Sequence, residues 1–294
     1  MTRAEGLTWA ELAREVEARL AVDGLTTAAQ EARWIVEEAS GHEGAEYLEI
    51  AGSPASVRGV AAVDRMVGRR RRGEPIQYVL GRWAFRTLDL MVDPRVLIPR
   101  PETEVVAGLA LDEVDRLAAD GHRPVLVADL GTGSGAIGLA LAAERDLTEV
   151  WLTDASPDAL AVARANVAGL GRPAARVTVT EGHWFEALPA DARGSLHVVV
   201  SNPPYVAAHE ELPPEVVDWE PASALVAGPD GTEALHHLLE AAVEWLAPGG
   251  ALVLELAPWQ AGPLAERAQG LGWADVRVGR DLAGRDRAVV ARRG

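Results

Sequence analysis

Residues 125–138 read Val-Leu-Val-Ala-Asp-Leu-Gly-Thr-Gly-Ser-Gly-Ala-Ile-Gly, an apolar run that passes into a glycine-rich turn. A buried strand followed by such a turn and a helix is typical of the first strand of a ligand-binding α/β sheet. Glycines there allow a tight turn and let a ligand approach backbone amides at the helix N-terminus. The pattern predicts a cofactor loop, whose candidate contact residues are Asp129, Gly131, Thr132, Gly133, Ser134 and Gly135.

Strands and helices alternate beyond this loop. The strand-like runs are Val125–Leu130, Val150–Asp154, Val177–Thr180, Leu196–Ser201 and Ala251–Leu256, and helical patterns cover Ile137–Glu144, Pro157–Ala168 and Glu233–Leu246. Ala274–Val278 and Arg287–Arg292 lack a helix between them. Short strands interleaved with helices indicate an α/β fold with a Rossmann-like, mostly parallel sheet and right-handed crossovers, closed by an antiparallel hairpin.

The N-terminal part of the chain follows a different pattern. Apolar residues recur at helical spacing after a capping box at Thr8, after Thr27 and after Ser56, which predicts three helices. Residues 83–103 hold two apolar runs around Asp93-Pro94 and predict a hairpin. We therefore predict a small helical domain at residues 1–82, a β-hairpin linker at 83–103 and a catalytic domain at 104–294.

Composition narrows the class of protein. The 294 residues carry 44 acidic and 28 basic side chains, a net charge of −16, which disfavours a partner that is duplex DNA. Cysteine is absent, so thiolate metal sites and disulfides are excluded, and we expect no metal. Met1–Leu7 lacks the apolar run of a signal peptide, and Val125–Ala143 is interrupted by Asp129 and glycines. We expect a cytoplasmic protein that makes no contact with a membrane.

Two aspartates limit the choice of ligand for the first loop. Asp154 ends the next strand, 23 residues after Gly131, where a carboxylate can accept both hydroxyls of a ribose. Both NAD and S-adenosylmethionine satisfy this pattern. Asp129 ends the first strand two residues before Gly131, and a carboxylate there suits the cationic end of a methionine moiety better than a pyrophosphate.

A second candidate site follows the apolar run Val198–Ser201. Residues 202–205 read Asn-Pro-Pro-Tyr, at the carboxyl end of a central strand, where ligands bind in such sheets. The Asn202 side-chain oxygen and the Pro203 carbonyl can each accept one N–H of a planar NH2 group. Pro204 further fixes the backbone and Tyr205 can stack on that plane. Asn202, Pro203 and Tyr205 are our catalytic candidates, and Asn202–Tyr205 is the candidate substrate site for methylation of an amide or an exocyclic amine.

These motifs resemble a known family when they are taken together with two further segments. Residues 71–81 read Arg-Arg-Gly-Glu-Pro-Ile-Gln-Tyr-Val-Leu-Gly, and residues 97–104 read Leu-Ile-Pro-Arg-Pro-Glu-Thr-Glu. The combination resembles the bacterial release factor glutamine methyltransferases, which are class I S-adenosylmethionine-dependent enzymes. The resemblance implies N5-methylation of the glutamine in the Gly-Gly-Gln motif of class 1 peptide chain release factors.

The resemblance also implies residue roles. It places Gly131–Gly135, Asp154, Trp184 and Asn202 at S-adenosylmethionine, with the Trp184 ring over the adenine, and it places Asn202–Tyr205 at the target glutamine. His183 stands where relatives often carry aspartate. Residues 255–260, Glu-Leu-Ala-Pro-Trp-Gln, lack the glycine that is common there.

Several alternatives remain open from the sequence. A ribosomal protein glutamine methyltransferase shares both motifs. A DNA or RNA adenine-N6 methyltransferase shares the Asn-Pro-Pro-Tyr tetrapeptide but needs a basic groove and a target-reading insertion. A nicotinamide oxidoreductase or a non-enzymatic binding module leaves Asn202–Tyr205 without a role.

Overall fold

The computed structural model describes residues 6–294, which divide into two compact units, residues 6–82 and Trp83–Gly294. The prediction that Met1–Leu7 is not a signal peptide rests in part on residues 1–5, which lie outside the described residues. The helices of the first unit are α1 (Trp9–Val22), α2 (Ala28–Ser40), α3 (Gly44–Ile50), α4 (Val57–Arg70) and α5 (Ile76–Leu80).

The helical unit follows its apolar periodicity. Thr8 caps α1 through a complete capping box with Glu11, and the stripe of Leu12, Val16 and Leu20 is fully buried. The three predicted helices are confirmed. Helices α3 and α5 were not predicted, because seven and five residues are too few to display a periodic pattern.

Two local expectations in this unit are resolved by side-chain contacts. Thr27 does not cap α2 with its side chain; its hydroxyl instead donates to Glu31 (2.8 Å). In the Arg69–Arg72 run, Arg69 pairs with Glu74, Arg70 with Glu31, and Arg71 with Asp23. Three of these four guanidinium groups therefore serve the fold of their own unit.

The second unit carries the sheet. Its strands are β1 (Arg82–Phe85, which begins one residue before the unit boundary), β2 (Leu88–Met91), β3 (Val125–Leu130), β4 (Thr148–Asp154), β5 (Val177–Glu181), β6 (Leu196–Ser201), β7 (Val206–Ala207), β8 (Val226–Gly228), β9 (Leu246–Glu255), β10 (Asp275–Arg280) and β11 (Asp286–Arg292). Its helices are α6 (Pro101–Ala119), α7 (Ala136–Glu144), α8 (Pro157–Gly169), α9 (Pro214–Val217), α10 (Glu233–Trp245) and α11 (Ala261–Gly270).

The main sheet has seven strands in the order β10-β11-β9-β6-β3-β4-β5. Strands β9, β6, β3, β4 and β5 are parallel, and β10 and β11 close the sheet antiparallel. The predicted fold class is confirmed. The strand order reverses at β3, so the carboxyl ends of β3, β4 and β6 meet at the edge where such sheets bind ligands.

A hairpin is present, but its turn lies at a different position from the predicted one. Strands β1 and β2 pair around Arg86-Thr87, and Arg86 adopts a positive φ of 52°, whereas Val96–Ile98 is not a strand. The prolines at 94, 99 and 101 remove the donors that a ladder needs, and the amide of Ile98 donates to the Glu220 carboxylate instead (3.1 Å).

The segment predicted as a linker, residues 83–103, belongs to the second unit. Phe85 and Leu90 are buried in the same core as the sheet, and Arg86 forms a bidentate pair with Glu144 of α7. Helix α6 already begins at Pro101. An apolar hairpin buries its side chains against the nearest core, so it does not remain a separate connector.

No helix within residues 6–294 is both long and apolar enough to cross a membrane.

Candidate active site

A cavity of about 710 Å³ opens at the carboxyl edge of the sheet. Its lining includes most of the residues that the sequence singled out: Asp129, Gly131, Thr132, Gly133, Ser134, Asp154, Trp184, Asn202 and Pro204. The fold thus brings both predicted motifs to a single cavity, because β3, β4 and β6 are neighbours in the sheet. Its volume lies within the range of small-molecule and cofactor sites.

The glycine loop is shaped by conformations that side chains avoid. Gly131, Gly133 and Gly135 have φ values of 68°, 56° and 88°. A Cβ on Gly131 would lie 3.0 Å from the Trp184 ring, and a Cβ on Gly138 would lie 2.2 Å from Leu152. The first glycine therefore allows the tryptophan ring to pack directly on the loop, and the last allows α7 to pack closely on the sheet.

Asp129 is buried and holds the loop closed. Its Oδ2 accepts hydrogen bonds from the Thr132 hydroxyl (2.6 Å) and from the amide of Gly138 (2.9 Å). Burial raises the pKa of Asp129 to about 6, although both hydrogen bonds oppose the shift and the Asp154 charge adds to it. One carboxylate oxygen thus fixes the loop while the residue still lines the cavity.

Asp154 fixes the loop from the neighbouring strand. Its Oδ2 accepts from the amide of Gly133 and its Oδ1 from the amide of Ser156, each at 2.9 Å. A carboxylate oxygen can accept more than one hydrogen bond, so capacity remains on both oxygens for the hydroxyls of a ligand. Helix α8 starts beside it with Ser156 as N-cap and Pro157 at N1, as predicted.

Trp184 forms one wall of the cavity. It has a positive φ of 50°, unusual for a bulky side chain, and its ring faces Gly131. His183 lies beside it, with ring centroids 5.4 Å apart, and His183 also approaches His237 at 6.3 Å. Both histidines line the cavity, so imidazole and indole groups surround the space above the glycine loop.

Asn202 follows β6 directly and lines the cavity. Its Nδ2 donates to the Thr103 hydroxyl (3.3 Å), which leaves Oδ1 as the amide atom free to face a ligand. Ser201, the last residue of β6, donates its hydroxyl to the carbonyl of Leu130 (2.6 Å) and so ties β6 to β3. The acceptor atom is therefore placed by two neighbouring strands and by α6.

Not every predicted site residue lines the cavity. Gly135 packs against Leu139, Pro203 is buried, and Tyr205 is directed toward Glu255, with its hydroxyl 3.4 Å from Oε1. The stacking of Tyr205 on a substrate amide stays a prediction. Burial and the nearby Glu255 raise the pKa of Tyr205, so its hydroxyl stays protonated and acts as a donor.

The structure adds residues that the sequence analysis missed. Glu220 is buried and joins two parts of the cavity wall, because its carboxylate accepts from the Ile98 amide and pairs with Arg100. Gln260 donates to the carbonyls of Tyr205 (3.0 Å) and Gly231 (2.8 Å) and so fixes the tetrapeptide. A lone polar residue at the end of an apolar run was the only available signal for either.

The Asp, Glu and Arg side chains that line the cavity are three acidic ones, Asp129, Asp154 and Glu233, and one basic one, Arg95. Residues 194–266, which we call the acidic stretch, contain 11 Asp or Glu and no Arg or Lys. Of the nearby guanidinium groups, Arg95 pairs with Asp93 (2.6 Å) and Arg100 pairs with Glu220. Within residues 6–294, no group of three or more His, Asp or Glu side chains is placed to hold a metal ion.

Comparison with known proteins assigns the chain to a class. Residues 114–218 match the family described as "Methyltransferase small domain", and residues 11–81 match the family described as "PrmC N-terminal domain". A crystal structure of a methyltransferase from Pyrococcus furiosus shares the fold, with a TM-score of 0.50 and 21% identity over 72% of this chain and 91% of that one. The protein is a methyltransferase.

Curated relatives define the particular family. The chain is 39% identical over 277 residues to the release factor glutamine methyltransferase of Geobacter sulfurreducens, which covers 94% of this chain and 93% of the relative. It is 35% identical over 293 residues to the protein of the same name from Bifidobacterium longum, covering 96% and 98%. The chain belongs to the release factor glutamine methyltransferase family.

Proposed function

We propose that the protein transfers a methyl group from S-adenosylmethionine to the side-chain amide nitrogen, N5, of the glutamine in the Gly-Gly-Gln motif of class 1 peptide chain release factors. The observation that carries this proposal is relatedness across both units, 94% of this chain and 93% of the Geobacter relative. Release factors act on the ribosome, so we place the reaction in the cytoplasm.

The residues present fit S-adenosylmethionine. We assign the glycine loop at Gly131–Gly135 to the methionine part, the carboxylate of Asp154 to the ribose hydroxyls and the Trp184 ring to the adenine. The Trp184 ring packs directly on Gly131, and Gly131, Asp154 and Trp184 line the same cavity, which supports this assignment. When bound, S-adenosylmethionine supplies an electrophilic methyl group on a positively charged sulfur.

We assign recognition of the substrate amide to Asn202 and Pro203. Asn202 Oδ1 and the Pro203 carbonyl each accept one N–H of the glutamine NH2 group, which fixes its plane and its direction of approach. An amide nitrogen is a poor nucleophile because its lone pair is delocalised into the carbonyl. Two acceptors at the N–H bonds move electron density back onto nitrogen as the N–C bond forms, and the surplus proton then leaves to water.

The charge distribution supports a protein acceptor over a nucleic acid. Proteins that bind polyanions neutralise phosphates with Lys and Arg, whereas the Asn202 side of the cavity lies in the acidic stretch. Arg95, which lines the cavity, and Arg100, which follows Pro99 of the lining, are already paired with carboxylates. A flipped adenine would therefore arrive with its phosphates unpaired.

We assign recognition of the protein substrate to the helical unit. Among the described residues, those that line the cavity all belong to the second unit, which supports the view that the first unit is not needed to form it. Removal of residues 1–82 should leave S-adenosylmethionine binding largely unchanged and abolish methylation of the intact release factor. Full activity of the truncated enzyme would contradict this assignment.

The direct test is a parallel methylation assay with labelled S-adenosylmethionine. The acceptors are a class 1 release factor, the same factor with its Gly-Gly-Gln glutamine changed to alanine, ribosomal proteins and double-stranded DNA. Labelling of the unmodified factor alone is expected. Labelling that persists after the glutamine change, or that appears on DNA or on a ribosomal protein in preference, would overturn the proposal.

A further inference from the structure

Two buried polar side chains, Thr103 and Glu255, and the half-buried Tyr205 lie near Asn202, and Thr103 also lines the cavity. Thr103 of α6 accepts the hydrogen bond from Asn202 Nδ2 (3.3 Å) and is only 4% exposed. Glu255, at the end of β9, is 1% exposed and receives the Tyr205 hydroxyl on Oε1 (3.4 Å). Parallel pairing of β6 with β9 sets Ser201 beside Leu254, so Glu255 lies next to the strand end that carries Asn202.

Within residues 6–294, no Arg or His side chain forms a direct ion pair with the Glu255 carboxylate. Its Oε2 is buried without a hydrogen-bond partner among the described residues, and so is Nε of Arg287 on β11. The charged groups that face it are Arg287 and Glu102, and Arg287 is itself drawn toward Asp281 (3.7 Å). Burial raises the pKa of Glu255 to about 7, against the lowering effects of Thr103, Arg287 and Tyr205.

A hydroxyl that accepts from Asn202 must direct its own proton elsewhere. Thr103 has one O–H donor, and the Glu255 carboxylate is close enough for this hydroxyl to lower its pKa. With Glu255 ionised, the proton of Thr103 points to the carboxylate, and Asn202 can only donate to Thr103. With Glu255 protonated, Thr103 can reverse and donate to Asn202 Oδ1, which removes the acceptor from the cavity.

We propose that Glu255 is a positioning residue that acts through Thr103 to fix the orientation of the Asn202 amide, so that Oδ1 faces the substrate nitrogen. Tyr205, as a second donor to the same carboxylate, holds it in place. The inference rests on the proposed function for the identity of the substrate, but the orientation of Asn202 can be observed without any substrate.

The pH dependence of kcat on the acid side tests this role of Glu255. At pH 6 about a tenth of Glu255 is ionised and at pH 8 about nine tenths, so kcat should rise about tenfold between them. Glu255→Gln should remove this rise and hold kcat roughly tenfold below the wild-type value at pH 8, because a neutral amide does not set the direction of the Thr103 hydroxyl. Affinity for S-adenosylmethionine, measured by calorimetry, should be unchanged.

Thr103 provides the matched pair of variants. Thr103→Val keeps the shape and removes the hydroxyl, and we expect a loss of kcat of about tenfold or more with KM for the release factor little changed. Thr103→Ser restores the hydroxyl and should recover most of the rate. Equal activity of the Val and Ser variants, or a wild-type pH profile in Glu255→Gln, would overturn the proposal.

A substrate-free measurement separates this inference from the proposed function. The side-chain amide protons of Asn202, assigned in ¹⁵N spectra by comparison with Asn202→Asp, should exchange with water more slowly in wild type than in Thr103→Val. Absence of release factor methylation together with this difference would reject the proposed function and keep the inference. Equal exchange in both proteins would reject the inference even if release factor is methylated.

Discussion

Each unit buries a glutamate carboxylate, and the two carboxylates have different hydrogen-bond and ion-pair partners. In the helical unit, Glu31 forms a bidentate pair with Arg70 at 2.6 and 3.2 Å, and both side chains are almost fully buried. At the active site, Glu255 is as deeply buried but has an unpartnered oxygen and a raised pKa. A paired charge fixes a fold in one state, whereas an under-satisfied one responds to protons and to its neighbours.

The largest expected effect comes from removal of the cation that pairs with Glu31. Arg70→Met leaves Glu31 buried without its cation, and we expect the free energy of unfolding of the helical unit to fall by about 3–5 kcal/mol. Denaturant unfolding, followed by tryptophan fluorescence and circular dichroism, measures the loss. Arg71→Met is the matched control: its pair with Asp23 is exposed to solvent, and it should change stability little. Similar losses in both variants would show that burial does not distinguish these pairs.

The next test removes the acceptor atom that the site is built to present. Asn202→Ala should raise the barrier to methyl transfer by about 3–4 kcal/mol, a loss in kcat of a hundredfold or more, because the group it removes acts chiefly in the transition state. The affinity for S-adenosylmethionine should fall far less than turnover, and the melting temperature should remain near the wild-type value. A variant whose cofactor affinity falls as far as its turnover would place Asn202 at the cofactor and not at the reacting amide.

The under-satisfied carboxylate itself predicts a pH-dependent stability. The folded pKa of Glu255 is about 7, above the usual 4.5, so the folded state is favoured at low pH and loses stability as pH rises from about 4.5 to 7. Between pH 5 and pH 8 the loss is roughly 3 kcal/mol. Glu255→Gln should lack this component, which urea titrations of both proteins at the two pH values would measure. If the difference in stability between wild type and Glu255→Gln is the same at both pH values, the protonation of Glu255 does not change on unfolding.

The smallest expected effect concerns the cofactor. Asp154→Ala should weaken S-adenosylmethionine binding by about 1.5–3 kcal/mol, the range for hydrogen bonds to a charged group. Asp154→Asn is the control, because it keeps an acceptor near the amides of Gly133 and Ser156 while it removes the charge. Unchanged affinity in a folded Ala variant, measured by calorimetry, would remove Asp154 from the cofactor site.

How much of the structure could be predicted from the sequence depended on how far apart the interacting residues lie along the chain. Strands β3 and β6 were predicted to the residue, since each is a short, mostly apolar run that ends just before a turn-forming Gly131 or Asn202-Pro203. The apolar run Val96–Ile98 was wrongly predicted as a strand, because it is held in place by packing and by Glu220, which lies more than 120 residues further along the chain. Local pattern does not distinguish an apolar strand from apolar coil.

The same limit applies within the site. Asp129, Asp154 and Asn202 were identified because each directly follows or ends a strand, and parallel strands share an edge. The contacts of Thr103 with Asn202 and of Tyr205 with Glu255 join α6, the residues after β6, and β9. These partners are 99 and 50 residues apart, so only the sheet order brings them together.

The acidic stretch has a consequence for the rate of encounter. A surface of one sign attracts cationic molecules and repels polyanions over about one Debye length, ~8 Å at physiological ionic strength. The exposed carboxylates that follow the Asn-Pro-Pro-Tyr tetrapeptide, Glu210, Glu211, Glu215 and Asp218, should therefore slow the approach of RNA and speed the capture of a protein loop with a positive surface. Because screening weakens both effects, added salt should narrow the kinetic advantage of such a loop over free nucleic acid before it affects the chemistry at Asn202.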